Sequence, residues 1–394
     1  MLTLIRGATV YAPTHLGTQD VLIAGDKIIA IEKSINLSTS IAVSEVAAHD
    51  CLMIPGLVDS LVHISGGGGE AGFASRTPEM GVADAFLAGI TTVVGALGTD
   101  DISRSHCDLV AKAKGLQQDG LNAFVHTGSY HVPVRTLGQS IRHDIMFINE
   151  CIGVGEVAIA DHRGSQPSVH ELTRIAAEAR TAGLLANKRG TVSVHVGAGK
   201  SRLAILYEVA KSSDIPLSQF YPTHMNRNSD LLMAGIEFAS LGGVIDFTAS
   251  TTAYDLAHGE LAAAEALAYC LQKGVAPNLL TLSSDGHASL PIYDEHNQLV
   301  GFEVGSEMAL FNALKQAITE FNVPVAEAVR AVTQNPADIL GLAKGQLYAG
   351  ADADLLLLRK DDFVLSDVWC RGNRVMQQTQ LLQRGFFAGI GRLS

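Results

Sequence analysis

The sequence predicts an α/β protein: a (β/α)8 barrel of the TIM type, with a small β-sandwich formed by the N- and C-terminal segments. Between residues 56 and 342, short apolar runs rich in β-branched residues alternate with segments of helical periodicity. Residues 1–55 and 343–394 instead carry strand-like runs separated by turns. We therefore predict a barrel domain at 56–342, inserted into a sandwich domain made of 1–55 and 343–394.

The barrel prediction depends on eight apolar runs with intervening helical segments. Periodicity is clearest in Val169–Leu185, Asp230–Ser240 and Glu260–Lys273. Eight strands separated by helices favour a closed barrel over an open doubly wound sheet. The predicted strands are Gly56–Ile64, Thr91–Leu97, Ala123–Thr127, Glu156–Ala160, Val192–His195, Gln219–His224, Val244–Thr248 and Leu279–Ser284.

The two ends of the chain share a second pattern. Asp20–Ala24 and Lys27–Ile31 flank a Gly25-Asp26 turn, which predicts a hairpin. Near the other end, Ala353–Leu358 and Val364–Arg371 are similar strand-like runs. We expect these runs to pair into one small sandwich.

Composition excludes several classes of protein. Hydrophobic residues make up 47% of the chain and charged residues 17%, so a substantial core is expected and bulk disorder is not. The net charge of −12 and the lack of Lys/Arg clusters argue against nucleic acid as a partner. No apolar run is long enough to span a membrane, and the N-terminus predicts a strand instead of a signal peptide. Five scattered cysteines without a CxxC pair predict reduced thiols in a cytoplasmic protein.

Three of the fourteen histidines end predicted barrel strands: His63, His195 and His224. Asp285 follows the last predicted strand. Because the carboxyl ends of barrel strands converge on one face, these four side chains are expected to share a site. Histidine and carboxylate ligands suit a divalent metal, most simply zinc, and Asp285 can also accept a proton from a metal-bound water. An isolated histidine elsewhere in the chain is more simply a surface or hydrogen-bonded residue.

Two glycine-rich segments need separate interpretation. Gly66–Gly69 precedes Glu70, and is either a flexible loop or a place where backbone and Glu70 approach a ligand. Gly197–Ser201 resembles part of a phosphate-binding P-loop, but Val194 occupies the place of the required first glycine. Nucleotide hydrolysis is therefore not predicted.

Polar residues also follow strand ends at Tyr130, Arg163 and Arg227. An arginine in such a place is either a solvated rim charge or a substrate contact. Two arginines beside a metal in an acidic protein favour a substrate that carries carboxylates, which guanidinium groups bind through paired hydrogen bonds.

Nearly end to end, the chain resembles the isoaspartyl (β-aspartyl) dipeptidases of the amidohydrolase superfamily. The most specific segment runs from His63 through the four glycines to Gly72. The other segments that carry the resemblance are Gly98–Asp100, Thr127–Pro133, Asp161–Arg163, Pro222–Asn228 and Ser283–Gly286.

The resemblance implies a zinc-dependent dipeptidase that hydrolyses the β-linked peptide bond of isoaspartyl dipeptides. A metal-bound hydroxide would attack the scissile carbonyl, Asp285 would carry the proton to the leaving amine, and Tyr130 would hydrogen-bond the developing oxyanion. Glu70 would bind the substrate ammonium. The substrate carboxylates would be held by Thr99, Arg163, Arg227 and Ser289. Relatives also suggest a homo-oligomer.

Two positions depart from the family pattern. Leu61 replaces the first histidine of the usual His-x-His, and Glu156 stands where the family carries a carboxylated lysine. Glu156, His195 and His224 are therefore expected to hold a metal, with His63 and Asp285 beside them, and one or two zinc ions per chain are expected. Two alternatives remain: an amidohydrolase acting on another N-acyl amino acid or cyclic amide, and a catalytically impaired binding homologue that lacks the ligand at Leu61.

Overall fold

The computed structural model describes residues 2–294, 296 and 298–386. Its strands, in chain order, are β1 (Leu2–Tyr11), β2 (His15–Ala24), β3 (Lys27–Glu32), β4 (Val43–Ala47), β5 (Cys51–Pro55), β6 (Leu57–Val62), β7 (Ile90–Gly95), β8 (Asn122–Thr127), β9 (Cys151–Ile159), β10 (Thr191–Val196), β11 (Phe220–Thr223), β12 (Ile245–Thr248), β13 (Leu280–Ser283), β14 (Ser289–Tyr293), β15 (Leu299–Val304), β16 (Leu355–Arg359), β17 (Leu365–Cys370), β18 (Asn373–Gln377) and β19 (Gln380–Leu381).

The α-helices lie mainly between the strands of the middle segment. They are α1 (Val82–Leu87), α2 (His106–Gln118), α3 (Ile141–Phe147), α4 (Val169–Ala186), α5 (Ala204–Ser212), α6 (Ser229–Ser240), α7 (Ala253–Ala257), α8 (Ala263–Gln272), α9 (Met308–Thr319), α10 (Val325–Ala331) and α11 (Gln334–Leu340). Short 3-10 turns occur at Phe73–Ser75, Leu217–Gln219 and Pro277–Leu279.

A curled parallel sheet forms the centre of the molecule. In the described residues, β6 to β11 are hydrogen-bonded in sequence order, and β12 and β13 form a further parallel pair. Backbone hydrogen bonds connect this pair to both edges of the longer sheet: Met225 N donates to Asp246 O (3.0 Å), and His63 N donates to Gly286 O (2.9 Å). Every one of the eight predicted parallel strands is present. The largest boundary error is at β9, which begins five residues before the predicted Glu156 because Cys151, Gly153 and Val154 already pair with β8.

The helices cover the outside of this sheet with their apolar faces. In α4, Leu172, Ile175, Ala176 and Ala179 are buried. Ser168 caps the N-terminus of this helix, and its side chain and that of Glu171 accept hydrogen bonds from each other's backbone N–H groups. The predicted helix Val169–Leu185 is thus confirmed to within one residue.

The two ends of the chain meet in a second sheet, which we call the terminal sheet. In the described part of the chain it contains β1 to β5 together with β16 to β19. The hairpin predicted at Gly25-Asp26 is present, since Ala24 pairs with Lys27 across β2 and β3. The ends are joined where β5 pairs with β16, with Leu355 opposite Pro55. The hydrogen bonds unite these strands in one sheet, and its arrangement as a sandwich stays a prediction.

None of the helices in the described residues has the length and apolar character needed to traverse a lipid bilayer.

Candidate active site

The side chains singled out in the sequence converge on one cavity at the carboxyl ends of the parallel strands. This pocket, which we call the strand-end pocket, is lined by His63, Glu70, Thr99, Tyr130, Arg163, His195, His224, Arg227, Asp285 and Ser289. Glu156 is 1% exposed and lies behind these residues, in contact with the histidines. The convergence follows from the parallel sheet, whose strands all end at the same face.

Glu156, His195 and His224 form a group with the geometry of a metal site. Their ligand atoms lie within 4.8 Å of one another, and all three residues are buried. Glu156 Oε2 is 3.4 Å from His195 Nδ1 and 3.7 Å from His224 Nε2.

His63 and Asp285 complete the cluster from the first and last strands of the parallel sheet. His63 Nε2 is 3.6 Å from Glu156 Oε1 and 3.3 Å from Asp285 Oδ1. Among the described residues, both oxygens of Glu156 and Oδ1 of Asp285 are buried without a hydrogen-bond partner. Buried carboxylate oxygens require a partner, so three orphaned oxygens among imidazoles fit a divalent cation.

The protonation states of these side chains depend on their neighbours. Burial raises the pKa of Glu156, but His195 and His224 outweigh it and hold that pKa well below its usual range. Burial, reinforced by Arg227 and His195, lowers the pKa of His224 to about 4. At neutral pH, Glu156 is therefore a carboxylate and His224 a neutral imidazole, the protonation states that metal ligands require. Burial lowers the pKa of His63, but Asp285 and Glu156 outweigh it and raise that pKa to about 9.

Two of these residues have an unusual backbone conformation. His224 has φ 64° and Asp285 has φ 53°, both in the left-handed region that non-glycine residues rarely adopt. Such strain is maintained only where surrounding structure fixes it, and it is concentrated at functional sites. His224 and Asp285 lie just after the ends of β11 and β13, and this backbone conformation turns both side chains into the pocket.

Polar groups extend along the pocket from these candidate metal ligands. Thr99 Oγ1 donates to Glu70 Oε1 (2.8 Å), and Arg163 Nη1 lies 3.6 Å from the same oxygen. Tyr130 OH is 2.7 Å from His195 Nδ1. Burial raises the pKa of Tyr130 well above its ordinary value, so its hydroxyl remains a donor at neutral pH. Ser289 Oγ has no partner among the described residues.

Comparison with known proteins places this geometry in a family. A model of the amidohydrolase family matches residues 244–375. The chain is 39% identical to a β-aspartyl dipeptidase from the thermophilic, keratin-degrading Fervidobacterium islandicum AW-1, solved with the dipeptide β-Asp-Leu. That match has a TM-score of 0.89 and covers 97% of this chain and 98% of the other. A second structure of the Fervidobacterium islandicum AW-1 enzyme matches at 38% identity with a TM-score of 0.88, over 97% of this chain and 98% of that one.

The chain belongs to the β-aspartyl dipeptidase family of amidohydrolases. Dihydropyrimidinase from Brevibacillus agri NCHU1002 matches over 98% of this chain and 97% of its own at a TM-score of 0.71, but at 15% identity it shows a shared fold alone.

The glycine loop of this amidohydrolase packs directly against a site histidine. A Cβ atom on Gly67 would lie 3.1 Å from His63 Cγ, and one on Gly98 would lie 3.1 Å from His63 Cε1. The buried Arg104 fixes the loop by donating to the carbonyl oxygens of Ser65, Gly67 and Thr77. Gly67 and Gly98 therefore provide close approach to His63, and Arg104 is a supporting residue that the sequence did not reveal.

The P-loop-like segment of the chain is used differently. Gly197 N donates to Ile159 O (3.0 Å) and Gly199 N donates to Ala160 O (2.8 Å), so these amides are not available to cradle a phosphate. The segment lies beside α6, outside the strand-end pocket.

Leu61 adds no ligand atom to the site. It lies in β6, two residues before His63, and is 2% exposed. Further side chains reach the amidohydrolase site without having been assigned a role from the sequence. Thr248 Oγ1 contacts His224 Nδ1 at 2.5 Å, Glu260 lines the pocket, and Asp161 contacts His195. Two of these residues had a sequence signal, because Asp161 belongs to the Asp161–Arg163 motif and Thr248 ends a predicted strand.

Proposed function

We propose that this protein is a zinc-dependent dipeptidase that hydrolyses the β-aspartyl peptide bond of isoaspartyl dipeptides. One observation carries the proposal: a metal-ligand set of Glu156, His195 and His224 shares a pocket with acidic and basic side chains suited to a zwitterionic substrate. The similarity to an enzyme solved with β-Asp-Leu supports the same substrate class.

The metal would be held by Glu156, His195 and His224, with His63 and Asp285 at its side, as one or two zinc ions per chain. Imidazole and carboxylate ligands are those that zinc commonly takes in catalytic sites. When bound, such a metal would lower the pKa of a water molecule and polarise the scissile carbonyl.

The chain's own residues would bind and orient the substrate and move its proton. Asp285 accepts the proton of the attacking water at its orphaned Oδ1 and delivers it to the leaving amine. Tyr130 donates a hydrogen bond to the oxyanion, an interaction that is strongest in the transition state.

Recognition of the substrate ends would use opposite charges. Glu70, held by Thr99, binds the α-ammonium group of the isoaspartyl residue. Arg163, Arg227 and Ser289 bind the carboxylates, together with Thr99. Arg227 Nε and Ser289 Oγ are buried without partners among the described residues, which supports a ligand-binding role for both.

The architecture that presents these residues is proposed to be a closed (β/α)8 barrel at residues 56–342. The hydrogen bonds at both seams of the curled sheet support closure. Residues 1–55 and 343–394 are proposed to form the small β-sandwich domain. A homo-oligomer and a cytoplasmic location stay predictions.

The direct test compares two isomers of one dipeptide. The purified, zinc-loaded protein should cleave β-Asp-Leu and leave α-Asp-Leu intact, and Glu70→Gln should raise KM for β-Asp-Leu. Glu79→Gln is a matched control, since Glu79 is an exposed glutamate that pairs with Lys112 outside the pocket. Equal cleavage of both isomers, or cleavage of neither, would contradict the proposed specificity.

A further inference from the structure

The carboxylate of Asp161 links the candidate metal ligand His195 to Arg163, an arginine of the pocket wall. Asp161 follows the end of β9 by two residues and is 8% exposed. Among the described residues its carboxylate accepts four hydrogen bonds, all from Arg163 and His195. Oδ1 accepts from the Arg163 backbone N (2.8 Å) and Nε (3.1 Å), and Oδ2 accepts from Arg163 Nη2 (2.8 Å) and His195 Nε2 (2.9 Å).

The contact with His195 fixes which of its ring nitrogens faces the candidate metal site. An ionised carboxylate only accepts hydrogen bonds, so His195 Nε2 carries a hydrogen. The lone pair of the neutral ring then lies on Nδ1, the nitrogen that is 3.4 Å from Glu156 Oε2 and 2.7 Å from Tyr130 OH. The opposite tautomer would place a hydrogen where the metal binds.

The contact with Arg163 fixes the plane of the guanidinium group. Nε and Nη2 are both bound to Asp161, which leaves Nη1 on the side of Glu70, 3.6 Å from its Oε1. The guanidinium carbon lies 5.6 Å from the centre of the Tyr130 ring. A long, flexible side chain is thereby confined to one orientation at the pocket wall.

We propose that Asp161 is a positioning residue that orients the metal-binding nitrogen of His195 and the substrate-facing edge of Arg163 with one carboxylate. The part of this proposal that concerns Arg163 rests on the proposed function, whereas the part that concerns His195 requires only the metal site. Hydrogen bonds from metal-bound histidines to carboxylates generally hold ring orientation and raise metal affinity.

Asp161→Asn separates this role from simple packing, because the side chain keeps its size but loses its charge. Four donors converge on the carboxylate, whereas an amide offers one accepting oxygen and places N–H groups against the remaining donors. We expect zinc affinity to fall about 10–100-fold, measured by competition with a chromophoric chelator. KM for β-Asp-Leu should rise as well.

Two companion variants separate the effect on zinc affinity from the effect on KM. Arg163→Met should raise KM for β-Asp-Leu and leave the zinc dissociation constant within about threefold of wild type, since His195 keeps its contact with Asp161. His162→Gln is the matched control in the same segment. Its side chain is 92% exposed and its Nδ1 is 3.7 Å from Asp161 Oδ1. It should change neither quantity.

A folded Asp161→Asn protein with wild-type zinc affinity would overturn the proposal, as would an equal loss of zinc affinity in His162→Gln. If Asp161→Asn does not fold, nitrogen-15 NMR of histidine-labelled, zinc-loaded wild type decides the question. His195 must show a protonated Nε2 and an unprotonated Nδ1, and the reverse pattern would refute the assignment. If the wild type binds zinc but leaves β-Asp-Leu intact, the proposed function is wrong. The zinc affinities and the NMR spectrum then still test whether Asp161 orients His195.

Discussion

Glu156 dominates the site at the scale of single residues, because three imidazole groups approach its carboxylate within 3.4 to 3.7 Å. Neither of its oxygens has a hydrogen-bond partner among the described residues. A buried carboxylate in this state fits a bound cation, and we propose that Glu156 supplies here the carboxylate that the family pattern takes from a carboxylated lysine.

Replacement of Glu156 by glutamine should remove metal binding. The variant keeps the side-chain shape but loses the negative charge that would neutralise the cation. We expect zinc per chain after dialysis to fall by at least tenfold, measured by atomic emission. Glu150→Gln is the control, because Glu150 is buried beside β9 but pairs with Lys114 away from the pocket. Retention of zinc by Glu156→Gln would refute the ligand assignment.

Replacement of Tyr130 by phenylalanine should reduce catalysis without affecting metal content. Loss of one oxyanion donor typically lowers kcat by about 10²–10³-fold. Steady-state kinetics on β-Asp-Leu would measure this. Tyr207→Phe, at a tyrosine in α5, should have wild-type kinetics. A kcat for Tyr130→Phe within threefold of wild type would exclude the oxyanion role.

Restoration of the family histidine at Leu61 should not improve the enzyme if the site works with Glu156. Leu61 is 2% exposed, and burying an imidazole without a partner costs about 1–3 kcal/mol of unfolding free energy. We expect Leu61→His to lower stability in urea titrations and to leave kcat at or below wild type. A large gain in turnover would instead identify the present chain as an impaired homologue.

At the scale of elements, the parallel strands were predictable because their signal is local. A β-branched apolar run that ends at a polar residue specifies both the strand and the side chain at its end, which is why His63, His195, His224 and Asp285 could be brought together from sequence. The β14–β15 hairpin, which lines the pocket at Ser289, was missed because it interrupts the strand–helix alternation.

Residue roles that depend on non-local contacts could not be predicted from the sequence. The role of Asp161 depends on how close β9 and β10 bring it to His195, and no spacing within the Asp161–Arg163 segment reveals that distance. Arg104 was missed for the same reason, because it reaches the glycine loop across 37 residues to contact Gly67.

Strand β8 carries an acid-sensitive group. Burial lowers the pKa of His126 in this strand to about 4, from 6.5 in the unfolded chain. As pH falls from 6.5 to 4, the unfolded state therefore binds a proton at His126 before the folded state does. The free energy of unfolding decreases over that window, by about 2–3 kcal/mol at pH 4.5. Between pH 7.5 and 4.5, the free energy of unfolding of His126→Gln, measured in urea, should decrease by about 2–3 kcal/mol less than that of wild type. The exposed His170→Gln should lose as much as wild type, and an equal loss in His126→Gln would contradict the assignment.

At the scale of the whole molecule, a buried ion cluster ties the terminal sheet to the parallel sheet. Lys344 Nζ contacts Asn122 Oδ1 in β8 (2.9 Å), Asp352 Oδ2 (2.5 Å) and Asp354 Oδ2 (2.8 Å), and its side chain is 10% exposed. Because Asp354 precedes β16, this lysine neutralises two carboxylates where the two sheets meet.

Removal of this cation should destabilise the assembly of the two sheets. We expect Lys344→Met to lower the unfolding free energy by about 3–5 kcal/mol, since it leaves the buried carboxylate of Asp354 without a counter-charge. Lys27→Met is the matched control, because Lys27 pairs with the same Asp352 but is 47% exposed and should cost less than about 1 kcal/mol. Chemical denaturation would compare them, and equal losses would contradict a special role for the buried cluster.

The most direct measurement is β-Asp-Leu hydrolysis as zinc is added back to metal-free protein, with α-Asp-Leu as the parallel substrate. We predict that β-Asp-Leu turnover rises linearly with added zinc and saturates at one or two equivalents per chain, while α-Asp-Leu remains intact. Turnover that is independent of zinc, or zinc uptake at this stoichiometry without β-selective cleavage, would contradict a metal-dependent β-aspartyl dipeptidase.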